Sequence, residues 1–226
     1  MSQPELFINS DNSIIIEFDD AISLKLTRYI LGVKLSIEKA KLEGFVEAVP
    51  AYDSLLILFD AETFHPERHW QQLHSIVKTA QPIDNRDSQR YVIPVCYDLE
   101  VAPDLPFVAD HAGLTTDDVI QLHSEQDYPV YMLGFLPGFL YLGELKSQLH
   151  CPRRSAPRAK IEAGSVAIGG SQTGIYPIDS PGGWHIIGKT PMKMLDVSAS
   201  NPAIAKPLDI ITFKPIGLEE FKQYEH

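Results

Sequence analysis

Short apolar runs and amphipathic stretches alternate over the first 95 residues of the chain. Residues 13–18, 45–49, 55–59 and 91–95 are apolar runs of strand length, and a short turn separates the middle two. Between them lie two stretches whose apolar residues recur every three or four positions, which is the spacing of a helix with one buried face. The resulting order is βαββαβ, the split-βαβ pattern of a small α+β domain.

Each predicted helix has a recognisable start. The first should follow Asp19 and Asp20, since aspartate caps helix N-termini. The second should open at His65-Pro66, because proline suits the first helical position. The predicted buried faces are Ile22, Leu26, Tyr29, Ile30, Val33 and Ile37 for the first helix, and Trp70, Leu73, Ile76 and Val77 for the second.

The polar stretch at residues 82–89 is the expected linker, and the chain changes character after it. A short helix is predicted at Thr116–Ser124, with Thr115 or Thr116 as its N-cap. Beyond Tyr128, short apolar runs are punctuated by glycine and proline, which favours a compact β-barrel or a related β-fold. We therefore expect an α+β protein with a first domain at residues 1–86 and a β-barrel domain at residues 87–226.

The composition is that of a folded, water-soluble chain. Of the 226 residues, 44% are hydrophobic, which is too large a share for a disordered protein. No run of about 18 apolar residues occurs, so no transmembrane helix is expected. The N-terminal residues have neither the basic start nor the apolar core of a signal peptide, which predicts a cytoplasmic location. Two cysteines, Cys96 and Cys151, are too few for a disulfide framework.

Charge is distributed unevenly along the chain. The net charge of −11 argues against general binding to nucleic acid or to an anionic membrane. Residues 1–128 carry 9 basic and 22 acidic side chains, a formal charge of −13, whereas residues 129–226 carry 10 basic and 8 acidic ones, a formal charge of +2. Five cations and no acid lie between residues 145 and 161. This segment is a candidate anion site, and the alternative is a solvated basic loop or a subunit interface.

A series of glycine- and proline-rich motifs follows Tyr128. They read GFLPGFLYLG at residues 134–143, CPRR at 151–154, PR at 157–158, AGSV at 163–166, QTGIYP at 172–177 and SPGGW at 180–184. Upstream, VPAY at 49–52 and LH at 122–123 fit the same pattern. The series resembles the family of 5-oxoprolinase B-type subunits, also called the KipI or allophanate hydrolase subunit 1 family. The resemblance extends over essentially the whole chain.

That resemblance implies a ferredoxin-like N-terminal domain followed by a cyclophilin-like β-barrel domain. It also implies a hydrolase subunit, inactive alone, of an ATP-dependent 5-oxoprolinase that opens 5-oxo-L-proline to L-glutamate. Two further subunits, of the A and C types, are its implied partners. Family members of other kinds leave two alternatives open: an inhibitor of a sensor histidine kinase, and a subunit of an allophanate- or urea-degrading enzyme.

Three arginines of the basic segment are candidates for substrate binding. Arg153, Arg154 and Arg158 lie in a loop that contains Pro152 and Pro157, beside glycine-rich sequence where backbone can approach a ligand closely. A guanidinium matches a carboxylate through two parallel hydrogen bonds. Because 5-oxoproline carries one carboxylate, we expect at least one of these arginines to bind it.

Polar and aromatic residues downstream complete the candidate site. An aromatic wall from Tyr176 or Trp184 suits a flat ring. Gln172 or Thr173 can hydrogen-bond a lactam. The alternative for the aromatic residues is simple burial in the barrel core. His123 is a weaker candidate for a catalytic base, because such a histidine is more often partly buried and hydrogen-bonded.

Two other patterns match known sites only in their letters. Residues 183–190 fit the GxxxxGK[ST] phosphate-binding motif, but the bulky Trp-His-Ile-Ile in the middle predicts a strand instead of a loop that opens a helix. We therefore expect the complex to use ATP without this chain clearly binding it. His65, His69 and His74 lack a convincing carboxylate or cysteine partner, so they are expected at the surface and no metal site is predicted.

Overall fold

The structure, a computed structural model, describes residues 4–84 and 87–224. It consists of two compact units, Met1–Asp87 and Ser88–His226. No sheet is shared in the described part of the chain: a four-stranded sheet uses strands of the first unit, while a closed barrel and a two-stranded ribbon use strands of the second. The predicted linker includes residues 85 and 86, which lie outside the described residues.

The first unit is a four-stranded antiparallel sheet with two helices packed against one face. In chain order its elements are β1 (Glu5–Ser10), β2 (Ser13–Glu17), α1 (Leu24–Ala40), β3 (Phe45–Pro50), β4 (Ser54–Phe59) and α2 (Pro66–Thr79). The strand order is β1-β2-β4-β3. Alternate residues of the central strands, such as Ile14 and Ile57, are fully buried in one core with Ile30 and Leu73 of the helices.

The order ββαββα differs from the predicted βαββαβ at both ends. Strand β1 was missed, because its sequence ELFINS shows no clear alternation and five of its six residues are exposed. The predicted last strand exists as β5 (Arg90–Cys96), but it belongs to the barrel of the second unit, where it pairs with residues 210–216. That partner is more than 100 residues away along the chain, so local sequence carries no signal of it.

Helix α1 begins later than predicted. Its N-cap is Ser23, whose side chain accepts a hydrogen bond from the Leu26 N–H at 3.3 Å, and the expected cap at Asp19 or Asp20 was wrong. Ile22 precedes the helix and is 47% exposed, so it does not belong to the buried face. The prediction for α2 is confirmed, with His65 as N-cap and Pro66 as the first helical residue.

Removal of the Ser23 hydroxyl tests this cap. Ser23→Ala should lower the free energy of unfolding by about 1 kcal/mol, because the Leu26 N–H loses its acceptor. Asp19→Ala is the matched control and should change stability by less than about 0.5 kcal/mol. Urea denaturation of both variants measures the difference. Equal losses in the two variants would contradict the assignment of the cap.

The second unit is built around a closed barrel. Its strand order is β10-β7-β6-β13-β5-β12-β9, in which only the β5–β13 pair is parallel, while β8 and β11 form a separate ribbon. The elements after β5 are α3 (Leu105–Ala112), α4 (Thr116–Ser124), β6 (Asp127–Leu133), β7 (Leu140–Leu142), β8 (Arg158–Ile161), β9 (Ser165–Gly169), β10 (Gln172–Ile175), β11 (Ser180–Gly182), β12 (His185–Lys189), β13 (Ile210–Ile216) and α5 (Leu218–Tyr224). The predicted β-barrel is thus confirmed.

The helices of this unit were predicted in part. Helix α4 has the predicted bounds, and Thr115 caps it in a reciprocal capping box with Asp118. Helix α3 was missed, because its eight residues include a proline and form too short a periodic pattern to read. Within residues 4–84 and 87–224, no helix is both long and apolar enough to cross a bilayer.

Side chains on the two faces of the barrel strands enter two different cores. Along β9, Val166 and Ile168 point into the main barrel core, whereas Ala167 joins a smaller cluster on the other side of the wall. The members of that smaller cluster are Phe139, Ile161, Ala167, Tyr176, Trp184 and Ile186. Two of the predicted site residues, Tyr176 and Trp184, therefore pack outside the main barrel core.

Candidate functional site

A cavity of about 330 Å³ lies between the basic loop and the smaller aromatic cluster. A volume of this size falls in the range of small-molecule sites. Four predicted site residues line it: Arg153, Arg154, Tyr176 and Trp184. The other lining residues are Phe135, Phe139, Tyr141, Pro157, Pro181, Gly182 and Gly183.

One wall of the cavity is a set of aromatic rings in edge-to-face contact. The ring of Phe139 meets that of Tyr176 at 5.0 Å and 84°, and that of Trp184 at 5.6 Å and 85°. Trp184 can lie this close to the barrel because residue 169 is glycine: a Cβ there would stand 2.5 Å from the indole ring. These contacts hold the rings in fixed orientations, so the wall is preorganised for a flat apolar ligand.

The hydroxyl of Tyr176 is held neutral at the base of this wall. Burial raises the pKa of Tyr176 to about 12, and a backbone hydrogen bond from Trp184 opposes the rise only in part. Tyr176 is 2% exposed and its hydroxyl lies next to Gly182, where a Cβ would approach it to 2.5 Å. The ring of Tyr176 therefore packs in the wall, and its hydroxyl brings no charge to a ligand.

Arg153 brings a positive charge to the mouth of the cavity. Its guanidinium carbon lies 5.9 Å from the centre of the Trp184 ring, within the range of a cation–π contact. The side chain is exposed, and among residues 4–84 and 87–224 it forms no ion pair. Its charge is therefore available to an anion in the cavity.

Arg154 and Arg158 are both bound to a carboxylate of the protein. Arg158 donates two hydrogen bonds to Asp104, at 2.6 Å to Oδ2 and 2.8 Å to Oδ1. Arg154 donates one from Nη1 to Oδ1 at 3.1 Å. Asp104 is 5% exposed and also accepts a hydrogen bond from the Ile186 N–H at 2.7 Å. The two arginines are thus tied to helix α3 and strand β12.

These contacts keep the buried carboxylate ionised. Burial alone would raise the pKa of Asp104, but the hydrogen bonds from Arg158 and the Ile186 N–H, together with the charges of both arginines, outweigh it and leave the pKa below its ordinary value. The hydrogen bond to Asp104 likewise raises the pKa of Arg158. The cluster of two arginines and one aspartate therefore carries a net charge of about +1 near neutral pH.

Arg158 does not line the cavity, because both of its terminal nitrogens are used by Asp104. Gln172, half-buried at the start of β10, is also absent from the lining. Of the three predicted arginines, Arg153 and Arg154 line the cavity, whereas Arg158 binds Asp104 behind it.

Thr173 and His123 lie inside the barrel, away from this cavity. Both are fully buried, and His123 Nε2 is 2.8 Å from Thr173 Oγ1. Thr173 donates its own proton to the Ala167 carbonyl at 3.1 Å, so Nε2 must carry the proton that it shares with Oγ1. Nδ1 then accepts from the Tyr97 hydroxyl at 2.8 Å. Neither side chain lines the cavity beside the arginines, so the structure does not bring these two candidates together with Arg153 and Arg154.

The buried network predicts how stability depends on pH. Burial lowers the pKa of His123 to about 3, whereas the unfolded residue titrates near 6.5. Below pH 6.5 only the unfolded state takes up this proton, so the folded state loses stability as pH falls towards 3. His123→Gln should make this loss shallower by about 1.4 kcal/mol per pH unit between pH 6 and 4. Urea denaturation as a function of pH measures it, and parallel curves would contradict a neutral His123.

The two misleading sequence patterns are resolved by the structure. Residues 185–189 form strand β12, which confirms that the GxxxxGK[ST] letters do not form a phosphate loop here. The expectation of surface histidines was wrong for His69, which is fully buried and stacks on Phe59 at 4.3 Å. In the part of the chain that the structure describes, no group of three or more histidine, cysteine, aspartate or glutamate side chains could hold a metal ion.

A larger cleft in the first unit is a weaker candidate for this chemistry. It has a volume of about 420 Å³ and is lined by Glu5, Glu17, Asp19, Asp53, Phe18 and Ser54. Four carboxylates without a cation in the lining repel a carboxylate ligand. The smaller cavity beside the arginines is therefore the candidate site for an anion.

Three residues important to the site were not predicted. Asp104 is an isolated aspartate before a helix that was itself missed, so nothing marked it. Phe135 and Phe139 lay within the motif at residues 134–143, but no chemistry was assigned to them. Phe135 has a left-handed φ of 66° and is 59% exposed at the cavity, which is an uncommon conformation for a bulky residue.

Comparison with known proteins supports the motif evidence. Residues 4–205 match the family model of the carboxyltransferase domain, subdomains C and D. The B-type subunit of the 5-oxoprolinase of Bacillus subtilis (strain 168) is 35% identical over 225 residues, which cover 95% of this chain and 94% of the relative. The chain belongs to the family of 5-oxoprolinase B-type subunits. The resemblance inferred from its motifs is thereby confirmed.

Solved structures show the same fold in chains of different length. A conserved uncharacterized protein of Pyrococcus horikoshii is 40% identical with a TM-score of 0.58, covering 96% of this chain and all of that one. The urea amidolyase of K. lactis matches with a TM-score of 0.83 at 20% identity, over 97% of this chain but 15% of the relative, and shows the fold alone. Another solved structure matches with a TM-score of 0.77 at 33% identity, over 90% of this chain and 40% of a longer one.

Proposed function

We propose that this chain is the B-type subunit of an ATP-dependent 5-oxoprolinase, and that its second unit binds 5-oxo-L-proline or an intermediate derived from it. One observation carries the proposal: a cavity with two arginines at one side and an edge-to-face aromatic wall at the other, in a chain that is 35% identical to the B-type subunit of a 5-oxoprolinase. The ligand has matching parts, since it is a flat ring that bears one carboxylate.

The proposed binding mode assigns each part of the ligand to a group in the lining. The carboxylate lies between Arg153 and Arg154, and the ring packs against Tyr176 and Trp184. Gln172 and Thr173 are no longer proposed for the lactam, because neither lines the cavity. Tyr141 also lines the cavity, and its hydroxyl, which can both donate and accept a hydrogen bond, is proposed for the lactam in their place.

The chain is proposed to be inactive alone. In the described residues, the only stretch that fits the letters of a phosphate loop is a strand, and His123 is buried away from the cavity. ATP binding and the reacting groups are therefore assigned to the two partner subunits, of the A and C types. The complex is proposed to work in the cytoplasm.

The finer fold assignments are likewise proposals. The domain boundary is placed at residues 86–87, the barrel is proposed to be cyclophilin-like, and the first unit is proposed to be a rearranged ferredoxin-like sheet. In the usual ferredoxin-like order the last strand of the chain lies beside the first. Here the N-terminal β1 takes that edge position next to β2, so the layered architecture is kept with ββαββα connectivity.

Two other functions remain as alternatives. An inhibitor of a sensor histidine kinase would be a binding module, which needs no small-molecule cavity. A subunit of a urea- or allophanate-degrading enzyme is the other function that the family resemblance leaves open. The cavity favours the 5-oxoprolinase assignment over both, because its aromatic wall matches a ring that neither urea nor allophanate has.

Binding measurements on single arginine variants test the site. Arg153→Ala and Arg154→Ala should each weaken binding of 5-oxo-L-proline by about tenfold or more, because each removes a charged hydrogen-bond donor from the carboxylate. Binding of γ-butyrolactam, the same ring without the carboxylate, should be unchanged. Titrations followed by NMR measure both ligands.

Lys160→Ala is the matched control, since this exposed lysine belongs to the same basic segment but pairs with Asp179 outside the cavity. Equal binding of 5-oxo-L-proline by the wild type and both arginine variants would place the carboxylate elsewhere. A wild-type protein that binds neither ligand would contradict the proposed site altogether.

A reconstitution experiment tests the place of the chain in a complex. Co-expressed with the two proposed partner subunits, it should co-purify with at least one of them, and release of glutamate from 5-oxo-L-proline should require all three chains and ATP. The chain alone should release none. Growth of a deletion strain on 5-oxoproline as nitrogen source is the parallel test in cells, and normal growth without a paralogue would contradict the proposal.

A further inference from the structure

Asp104 lies behind the cavity, outside its lining, yet it touches two of the three arginines. We propose that Asp104 is a positioning residue that holds Arg154 ready for the ligand carboxylate, with Arg158 as the second clamp on the same aspartate. The proposal rests on the function proposed above and assigns roles to two residues that do not touch the ligand.

The geometry of the carboxylate supports this role. Its two oxygens accept four hydrogen bonds: two from Arg158, one from Arg154 and one from the Ile186 N–H. Asp104 is the N-cap residue of α3, but its side chain makes no capping hydrogen bond. Aspartate is among the best capping residues, yet here its carboxylate oxygens bind the arginines instead of the free N–H groups at the start of the helix.

Asp104 also fixes the distance between the cation and the aromatic wall. Its own N–H donates to the Ile186 carbonyl at 3.0 Å, while its carboxylate accepts from the Ile186 N–H at 2.7 Å. Ile186 is two residues after Trp184 in the chain. These two hydrogen bonds fix the N-terminus of α3 to strand β12, which follows Trp184 in the chain. The hydrogen bond from Arg154 to Asp104 in turn fixes its guanidinium to that N-terminus.

Arg154 is held in a way that leaves capacity for a ligand. Only its Nη1 donates to Asp104, and its backbone N–H is fixed to the Gly183 carbonyl at 2.8 Å. Its Nε is buried without a hydrogen-bond partner in the described residues. A long side chain that is already fixed at both ends loses less conformational entropy when it binds a ligand.

Arg158 serves Asp104 in a different way. It forms the fork-to-fork pair, which takes up both carboxylate oxygens and sets the plane of the carboxylate. It also compensates the charge of a nearly buried anion, which would otherwise be costly. Arg154 can then donate its hydrogen bond to the remaining lone pair of Oδ1 without being the sole counter-ion of Asp104.

The test uses the full-length chain and the two ligands introduced above. Asp104→Asn should weaken binding of 5-oxo-L-proline by about tenfold, since it weakens the hydrogen bond that orients Arg154. It should leave γ-butyrolactam binding unchanged. In an Arg154→Ala background, Asp104→Asn should cause no further loss for 5-oxo-L-proline, because the aspartate acts through that arginine.

Two further variants make the result decisive. Asp118→Asn removes a carboxylate from the N-terminus of α4, outside the cavity, and should leave binding of both ligands unchanged. Arg158→Lys keeps the charge but loses the fork, and should weaken 5-oxo-L-proline binding without affecting γ-butyrolactam. If Asp104→Asn does not fold, as judged by circular dichroism, Arg158→Lys carries the test.

The outcomes separate this inference from the function on which it rests. If the wild type binds 5-oxo-L-proline and Arg154→Ala weakens it, but Asp104→Asn and Arg158→Lys do not, the positioning role is overturned and the proposed site stands. Additive losses from Asp104→Asn and Arg154→Ala also overturn it. No binding by the wild type overturns the proposed site first.

Discussion

A carboxylate that is almost completely buried needs hydrogen-bond donors and a counter-charge, and Asp104 obtains both from the basic loop. This requirement decides where the loop lies. Without it, a segment with four cations between residues 153 and 160 would extend into solvent, where charges are best hydrated. Because Asp104 binds Arg154 and Arg158, the loop lies against α3 and β12, and the cavity lies between the loop and the aromatic wall.

Strand alternation separates two chemical environments by the thickness of one sheet. Thr173 and Tyr176 are three positions apart, so they point to opposite faces: Thr173 into the barrel and Tyr176 into the outer cluster. Inside, His123 joins two tyrosines and Thr173 in a neutral network that satisfies buried polar atoms. Outside, aromatic rings meet charged guanidinium groups at an open cavity. Only the second environment gives a ligand both access and charge.

The same alternation explains which site residues could be predicted. Motif content identified Arg153, Arg154, Tyr176 and Trp184, and they do line one cavity. Because side chains alternate between the two faces of a strand, Thr173 and Tyr176, three positions apart, are not expected on the same face. Motif content alone had grouped the two. The role of Asp104 could not be predicted from the sequence, because it is 50 residues from Arg154 and no local pattern marks it.

In the fold, helices with clear caps and periodicity, such as α2 and α4, were predicted well. The pairing of β5 was not, because its partner β13 is distant in the sequence.

Charge and shape together distinguish the candidate ligands. Asp104 cancels one of three guanidinium charges. The positive charge that remains at the cavity, from Arg153 and Arg154, can be balanced by one or two anionic oxygens. Neutral urea gives those arginines no counter-ion. Allophanate has a carboxylate but presents no apolar ring to Tyr176 and Trp184, so its burial would leave the aromatic wall without a matching surface. A flat ring with a single carboxylate matches both sides of the cavity at once, which is why 5-oxoproline is the ligand proposed above.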